Sequence, residues 1–139
     1  MNLHVLQTLE SQAEARSIMA VKYQVVSPQS NRPVMSVIQD SLVGAYLLTA
    51  DTTVVSRSAF MDCVLFGTCT FENKEEYTGR ELFSTVLPSV NWKRGNVEIL
   101  NGTLLRGQVT KKVLGTSQGS LIHVMYNDCG PEETILFIP

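Results

Sequence analysis

The densest positive charge in the sequence is the pair Lys111-Lys112, with Arg106 close by. Adjacent lysines attract polyanions, and an attraction of that kind weakens as salt screens it. Equally, a lysine pair is ordinary for a solvated strand end. Asn31-Arg32 is a second candidate, because a guanidinium can fork onto phosphate or carboxylate oxygens. A loop arginine pointing into water is the blander reading. The Gln39 amide can hydrogen-bond to a ligand, whereas its neighbour Asp40 suits a helix N-cap. Trp92, followed by Lys93-Arg94, could stack on a base, although a lone aromatic beside charges is usually packing or a surface edge.

Other groups fit no chemistry. His4 and His123 stand in apolar runs without partners at metal-ligand spacing, so both are expected to be hydrogen-bonded and largely buried. The acids form adjacent pairs, Glu75-Glu76 and Glu132-Glu133, rather than a clustered oxygen cage, and read as solvated surface. Gly115-Thr116-Ser117-Gln118-Gly119-Ser120 lacks the following lysine of a Walker loop, which leaves packing glycines as the better account. No Ser-His-Asp or Cys-His arrangement can be placed, so an independent hydrolase has no support. Cys63, Cys69 and Cys129 are odd in number and lack CxxC spacing. They read as reduced, mostly buried thiols rather than a disulfide framework.

These residues must be positioned by short elements. Leu3-His4-Val5 reads as a strand. Thr8 caps a helix running to about Ala20, with Leu9, Ala13, Ile18 and Met19 on its inner side. Lys22 to Val26 reads as extended, and Ser27-Pro28-Gln29-Ser30-Asn31-Arg32-Pro33 as a loop. Gln39-Asp40-Ser41 opens a helix that is apolar on nearly all sides and so should be buried. Ser56 caps a third helix through Phe60, Val64 and Leu65, with Gly67 ending it. Thr78 to Leu87 is a short helix stopped by Pro88. Asn101-Gly102 between apolar runs signals a hairpin, because both turn residues need positive φ. After the strand 103–107 come the segment 108–114, a small-residue loop, the apolar run 121–126 and a turn at Gly130-Pro131. Helices and hairpins interleave without βαβ alternation, which makes the class α+β. The 139 residues, 44% apolar and 17% charged, suit one domain spanning residues 1–139. A formal net charge of −2 decides nothing about partners, and no apolar run approaches the ~20 residues that span a bilayer.

Four stretches carry a family resemblance: Met1-Asn2-Leu3-His4-Val5; Val25-Val26-Ser27-Pro28-Gln29-Ser30-Asn31-Arg32-Pro33-Val34-Met35; Val37-Ile38-Gln39-Asp40-Ser41-Leu42-Val43-Gly44; and Gly107-Gln108-Val109-Thr110-Lys111-Lys112 with the run from Gly115 to Val124. In order and spacing they resemble the pore domain of the largest subunit of multisubunit DNA-directed RNA polymerases. In that family an Asn-Ala-Asp-Phe-Asp-Gly-Asp-Glu motif closely precedes Met-Asn-Leu-His-Val-Pro-Gln; here Leu6 replaces the proline. The middle, from Asp51 to Trp92, matches loosely. The Ser-Pro-Gln-Ser-Asn-Arg-Pro wording resembles eukaryotic, archaeal or viral forms.

The resemblance implies a segment that lines the pore admitting nucleoside triphosphates and receiving backtracked RNA. Lys111 and Lys112 would lie near the pore rim, Asn31, Arg32 and Gln39 would face the active centre, and Asn2 would support it. Catalysis in the family is two-metal phosphoryl transfer. Its Mg²⁺ ions are held chiefly by the aspartates of that motif, so the chain alone is expected not to be catalytic and to be a piece of a longer subunit. Implied partners are the rest of the subunit, the other polymerase subunits, DNA template, RNA and nucleoside triphosphates, with no membrane. The implied location is intracellular: the nucleus for a cellular eukaryote, the host cell or virion for a virus. The alternative is a free-standing, non-catalytic interaction module that keeps the fold. It predicts a closed surface, whereas a polymerase segment predicts exposed apolar patches.

Overall fold

The computed structural model describes residues 2–64 and 74–138. The largest sheet among the described residues is a three-stranded antiparallel meander, β5 (Trp92–Arg94), β6 (Val97–Leu100) and β7 (Thr103–Arg106). Its second turn is Asn101-Gly102, with φ of 48° and 76°. Two left-handed residues in a row match the twist of the flanking strands, as the sequence led us to expect. Gly102 is required twice over. A Cβ there would sit 2.7 Å from the Pro88 carbonyl oxygen, while the Gly102 N–H donates to the Val90 carbonyl. Trp92, Ile99 and Leu104 align across the three strands and turn one face inward.

That face meets the C-terminal helices. α5 (Lys111–Leu114) buries Val113 and Leu114, and α6 (Leu121–Asp128) buries Leu121, Ile122 and Met125. With Phe83 of α4 (Gly79–Ser84) they form one core. α7 (Pro131–Phe137) starts with proline after Gly130, whose φ is 92°, and packs on α6. The segment 108–114 thus ends as a helical turn and not in a strand, and the apolar run 121–126 is helical, burying Leu121, Ile122 and Met125 against the core.

A smaller cluster lies beside this core. β3 (Val54–Ser56) pairs with β4 (Glu76–Thr78), and α3 (Arg57–Val64) stacks Phe60 on Tyr77 at 3.8 Å between ring centroids. Ser56 Oγ accepts from the Ala59 N–H, while the expected end of this helix at Leu65 and Gly67 lies outside the described residues. Thr78 caps α4 in a capping box with Glu81, which also pairs with Lys74 at 2.7 Å. α2 (Gln39–Leu48) meets the start of α4 with no spare room, since a Cβ on Gly79 would lie 1.9 Å from the Leu48 carbonyl oxygen.

The N-terminal third departs from the sequence reading. α1 (Leu9–Ser17) is capped by Thr8 as expected but ends early, and none of its residues is buried. Leu9, Ala13, Ile18 and Met19 therefore form no inner side. Leu3-His4-Val5 is exposed coil, because no strand among the described residues lies alongside to take its hydrogen bonds. His4 is exposed, not buried. Residues 21–23 form a 3-10 turn instead of a strand. The polar loop proves to be the tip of a small hairpin, β1 (Val26–Ser27) with β2 (Arg32–Pro33). α2 is not buried all round either. Leu42, Ala45 and Leu48 touch the core, but Val43, Tyr46 and Leu47 face outward. Its N-cap is Ile38, which leaves Asp40 in the first turn, where its charge suits the helix dipole. Cys63 is exposed and Cys129 half-buried, both free; Cys69 lies outside the described residues.

Thr49 ends α2 and joins the two halves of the fold. Fully buried, its hydroxyl donates to the Ala45 carbonyl at 2.8 Å and accepts the Val109 N–H at 2.9 Å. Gln108 adds a bond from its amide to the Tyr46 carbonyl at 2.8 Å. Thr49→Val keeps the volume but strands a buried N–H. Urea unfolding should show a loss of about 1–3 kcal/mol. Glu81 supplies a pH signature. Its carboxyl titrates below the ordinary glutamate value of 4.5, first through the Lys74 hydrogen bond and then through the Thr78 N–H. A lowered folded value means that its contribution is present above 4.5 and is lost as pH falls through the folded value. The stability gap between wild type and Glu81→Gln should therefore be largest at neutral pH and close in acid, as read by urea midpoints.

Candidate functional site

The N-terminal end of α6 and the loop before it are held by side chains from two other elements, β5 and the β1–β2 hairpin. Trp92 in β5, only 6% exposed, donates its indole N–H to the Gly119 carbonyl at 3.1 Å. That removes Trp92 as a base-stacking surface. The Gly119 N–H donates to His123 Nδ1 at 3.1 Å, and His123 Nε2 lies 3.3 Å from Asn31 Oδ1. Arg94 donates to Ser117 Oγ at 3.1 Å. Gly119 has a φ of 72°, the left-handed region that favours glycine. His123 is thus buried and hydrogen-bonded as the sequence suggested, but its partners could not be read from spacing.

α5 carries the lysine pair. Val113 and Leu114 anchor its inner side, while Lys111 and Lys112 are exposed, and neither forms an ion pair among the described residues. The chain turns away sharply at Gly115, where a Cβ would sit 2.4 Å from the Lys111 carbonyl oxygen. Between α5 and the β5–β6 turn lies an open cleft of about 420 Å³, lined by Trp92, Arg94, Asn96, Gln108, Thr110 and Lys112 among others. It brings two cations to one concave surface. Arg106 lies elsewhere, in a neighbouring cleft with Lys93 and Glu98, where Lys93 pairs with Glu98 at 3.0 Å.

α6 is the common floor. The β1–β2 hairpin rests on it through the His123–Asn31 bond, and α5 packs on it. Arg32 is exposed beside Asn31. Gln39 is exposed at the start of α2, with a φ of 53°; α2 is tied at its other end to the segment preceding the lysines. Asn2 is exposed in the N-terminal coil and is not gathered with the others. Thr49 was missed at the sequence level, because nothing local marks a hydroxyl whose partner is 60 residues away. Among the described residues no three His, Cys, Asp or Glu side chains cluster so as to hold a metal ion. The paired acids are exposed, and Glu132 is engaged by Lys22. These carboxylates do not fit Mg²⁺, which needs converging oxygens.

Residues 24–139 match the family model described as RNA polymerase Rpb1, domain 3. The stretch before residue 24 is also the part that contributes no buried residue. Two relatives from Trypanosoma brucei brucei, the DNA-directed RNA polymerase II subunits RPB1-B and RPB1-A, are each 34% identical over 157 aligned positions. The alignments cover 99% of this chain and 9% of each relative. Since the alignment is longer than the chain, the relatives carry residues that this chain lacks. The quoted motifs, the α+β architecture and these matches agree: the chain belongs to the RNA polymerase Rpb1 domain 3 family, within the largest subunit of eukaryotic-type DNA-directed RNA polymerases.

Proposed function

We propose that this chain forms pore wall in a transcribing polymerase and guides polyanions toward a catalytic centre built elsewhere. The observation that carries the reading is the exposed Lys111-Lys112, unpaired among the described residues, on a turn whose inner residues are locked into the core. Lysines held there attract triphosphates or RNA phosphates, and a concave surface shared with Arg94 concentrates the field. Asn31, Arg32 and Gln39 supply exposed polar groups toward the active centre, and Asn2 supports it from the N-terminal coil. Mg²⁺, when bound in the assembly, clamps the reacting phosphates; its ligands come from outside these residues.

Partners on this reading are the rest of the largest subunit, the other polymerase subunits, DNA template, RNA and nucleoside triphosphates, in the nucleus. Exposed Leu9, Ile18, Met19, Val43 and Leu47 support it over a free-standing interaction module, which would close its surface. The test is Lys111→Ala with Lys112→Ala in the assembled polymerase. Apparent KM for nucleotide should rise on the order of tenfold at low salt, with the difference shrinking as ionic strength increases. A salt dependence equal to wild type would overturn the reading.

A further inference from the structure

His123 has a defined tautomer. The Gly119 backbone N–H can only donate, so Nδ1, 3.1 Å away, must offer its lone pair. The imidazole is therefore neutral in this arrangement, with its proton on Nε2. Nε2 faces Asn31 Oδ1 at 3.3 Å, and the amide oxygen accepts. An asparagine amide has one oxygen and one NH₂, nearly equal in shape and opposite in hydrogen-bonding sense. With the oxygen committed to His123, the NH₂ is turned away from the ring. Asn31 is exposed at the hairpin tip with a φ of 45°, and Arg32 beside it is exposed. Neither Asn31 Nδ2 nor the Arg32 guanidinium has a hydrogen-bond partner among the described residues.

We propose that His123 is a positioning residue: through its Nε2–H it orients the Asn31 amide, so that the hairpin tip presents only donors, Asn31 Nδ2 and the Arg32 guanidinium, to a phosphate oxygen. This rests on the polyanion-guiding reading above. Without the imidazole donor the amide can turn over and set a carbonyl oxygen against the phosphate, which repels it. His123 is 7% exposed and sits below the tip, so it acts through Asn31 and touches no ligand itself.

The experiment uses the assembled polymerase with nucleoside triphosphate as the probe. His123→Gln places an amide N–H near the position of Nε2, and His123→Asn keeps an acceptor near Nδ1 for Gly119 but falls short of Asn31. His123→Asn should raise apparent KM several-fold with kcat little changed, and His123→Gln should restore most of it. Asn31→Asp still accepts from His123 but replaces the outward NH₂ with a carboxylate oxygen. It should be more impaired than Asn31→Gly, which removes the side chain while tolerating the positive φ. Both Asn31 variants lie on an exposed tip and test the idea even if a His123 variant fails to assemble. A triphosphate at the tip shows in KM. An RNA phosphate shows instead in the lifetime of stalled complexes with an unpaired RNA 3′ end.

Equal behaviour of His123→Gln and His123→Asn, or Asn31→Asp no worse than Asn31→Gly in both assays, overturns the proposal. If these variants match wild type while the Lys111/Lys112 double variant keeps its salt-dependent defect, only this inference fails. If the lysine variant is also silent, the underlying reading fails with it.

Discussion

The fold turns on the backbone of one residue, Gly119, being gripped from two sides. Gly119 gives its carbonyl to the Trp92 indole and its N–H to the His123 imidazole. A backbone polar group shut away from water must find a partner, and leaving one unmade costs about 1–3 kcal/mol. Here the partners are side chains from a strand and from a helix, so satisfying Gly119 locks the meander to α6. The left-handed backbone at Gly119 lets the loop turn into that grip. The same imidazole then reaches the β1–β2 hairpin. One loop residue thus sets the relation of three elements, and the candidate phosphate-facing groups stand around it.

The second tie, Thr49 to Val109, places the lysines. α5 is only a turn long and would not persist on its own. It holds because Val113 and Leu114 are buried, and because the segment leading into it is bonded to the end of α2. The distribution of charge then matters more than its sum. Lys22, Lys74, Arg80 and Lys93 each pair with a carboxylate. Lys111, Lys112 and Arg32 do not pair within the described residues. A chain with net charge −2 can therefore still offer a locally positive face.

The outward-facing apolar side chains have a complementary meaning. α1 buries nothing, and α2 leaves Val43 and Leu47 in solvent. Scattered apolar residues are normal on any surface, but a helix that is apolar nearly all round expects cover on both sides. Among the described residues only one side of α2 is covered. That fits the proposed role as wall inside a much longer subunit, and the chain spans 9% of the length of its curated relatives.

Local chemistry was legible from the residues themselves. Asn101-Gly102 wrote its own turn, Thr8 and Thr78 their helix starts, Gly130-Pro131 its break, and the four motif stretches their family, because each depends on neighbours in sequence. What sequence could not carry is contact over distance. Apolar runs at 3–5 and in α2 looked like interior structure, yet a strand needs an edge and a helix needs a facing surface, and neither can be read from the run. The His123–Asn31 bond spans 92 residues and the Val109–Thr49 bond 60. Periodicity reports which face of an element is apolar and says nothing of which distant polar atom will meet it. The lysine pair was therefore visible from the sequence alone, whereas its freedom from ion pairs among the described residues, its anchoring turn and the orientation of the Asn31 amide were decided by tertiary structure.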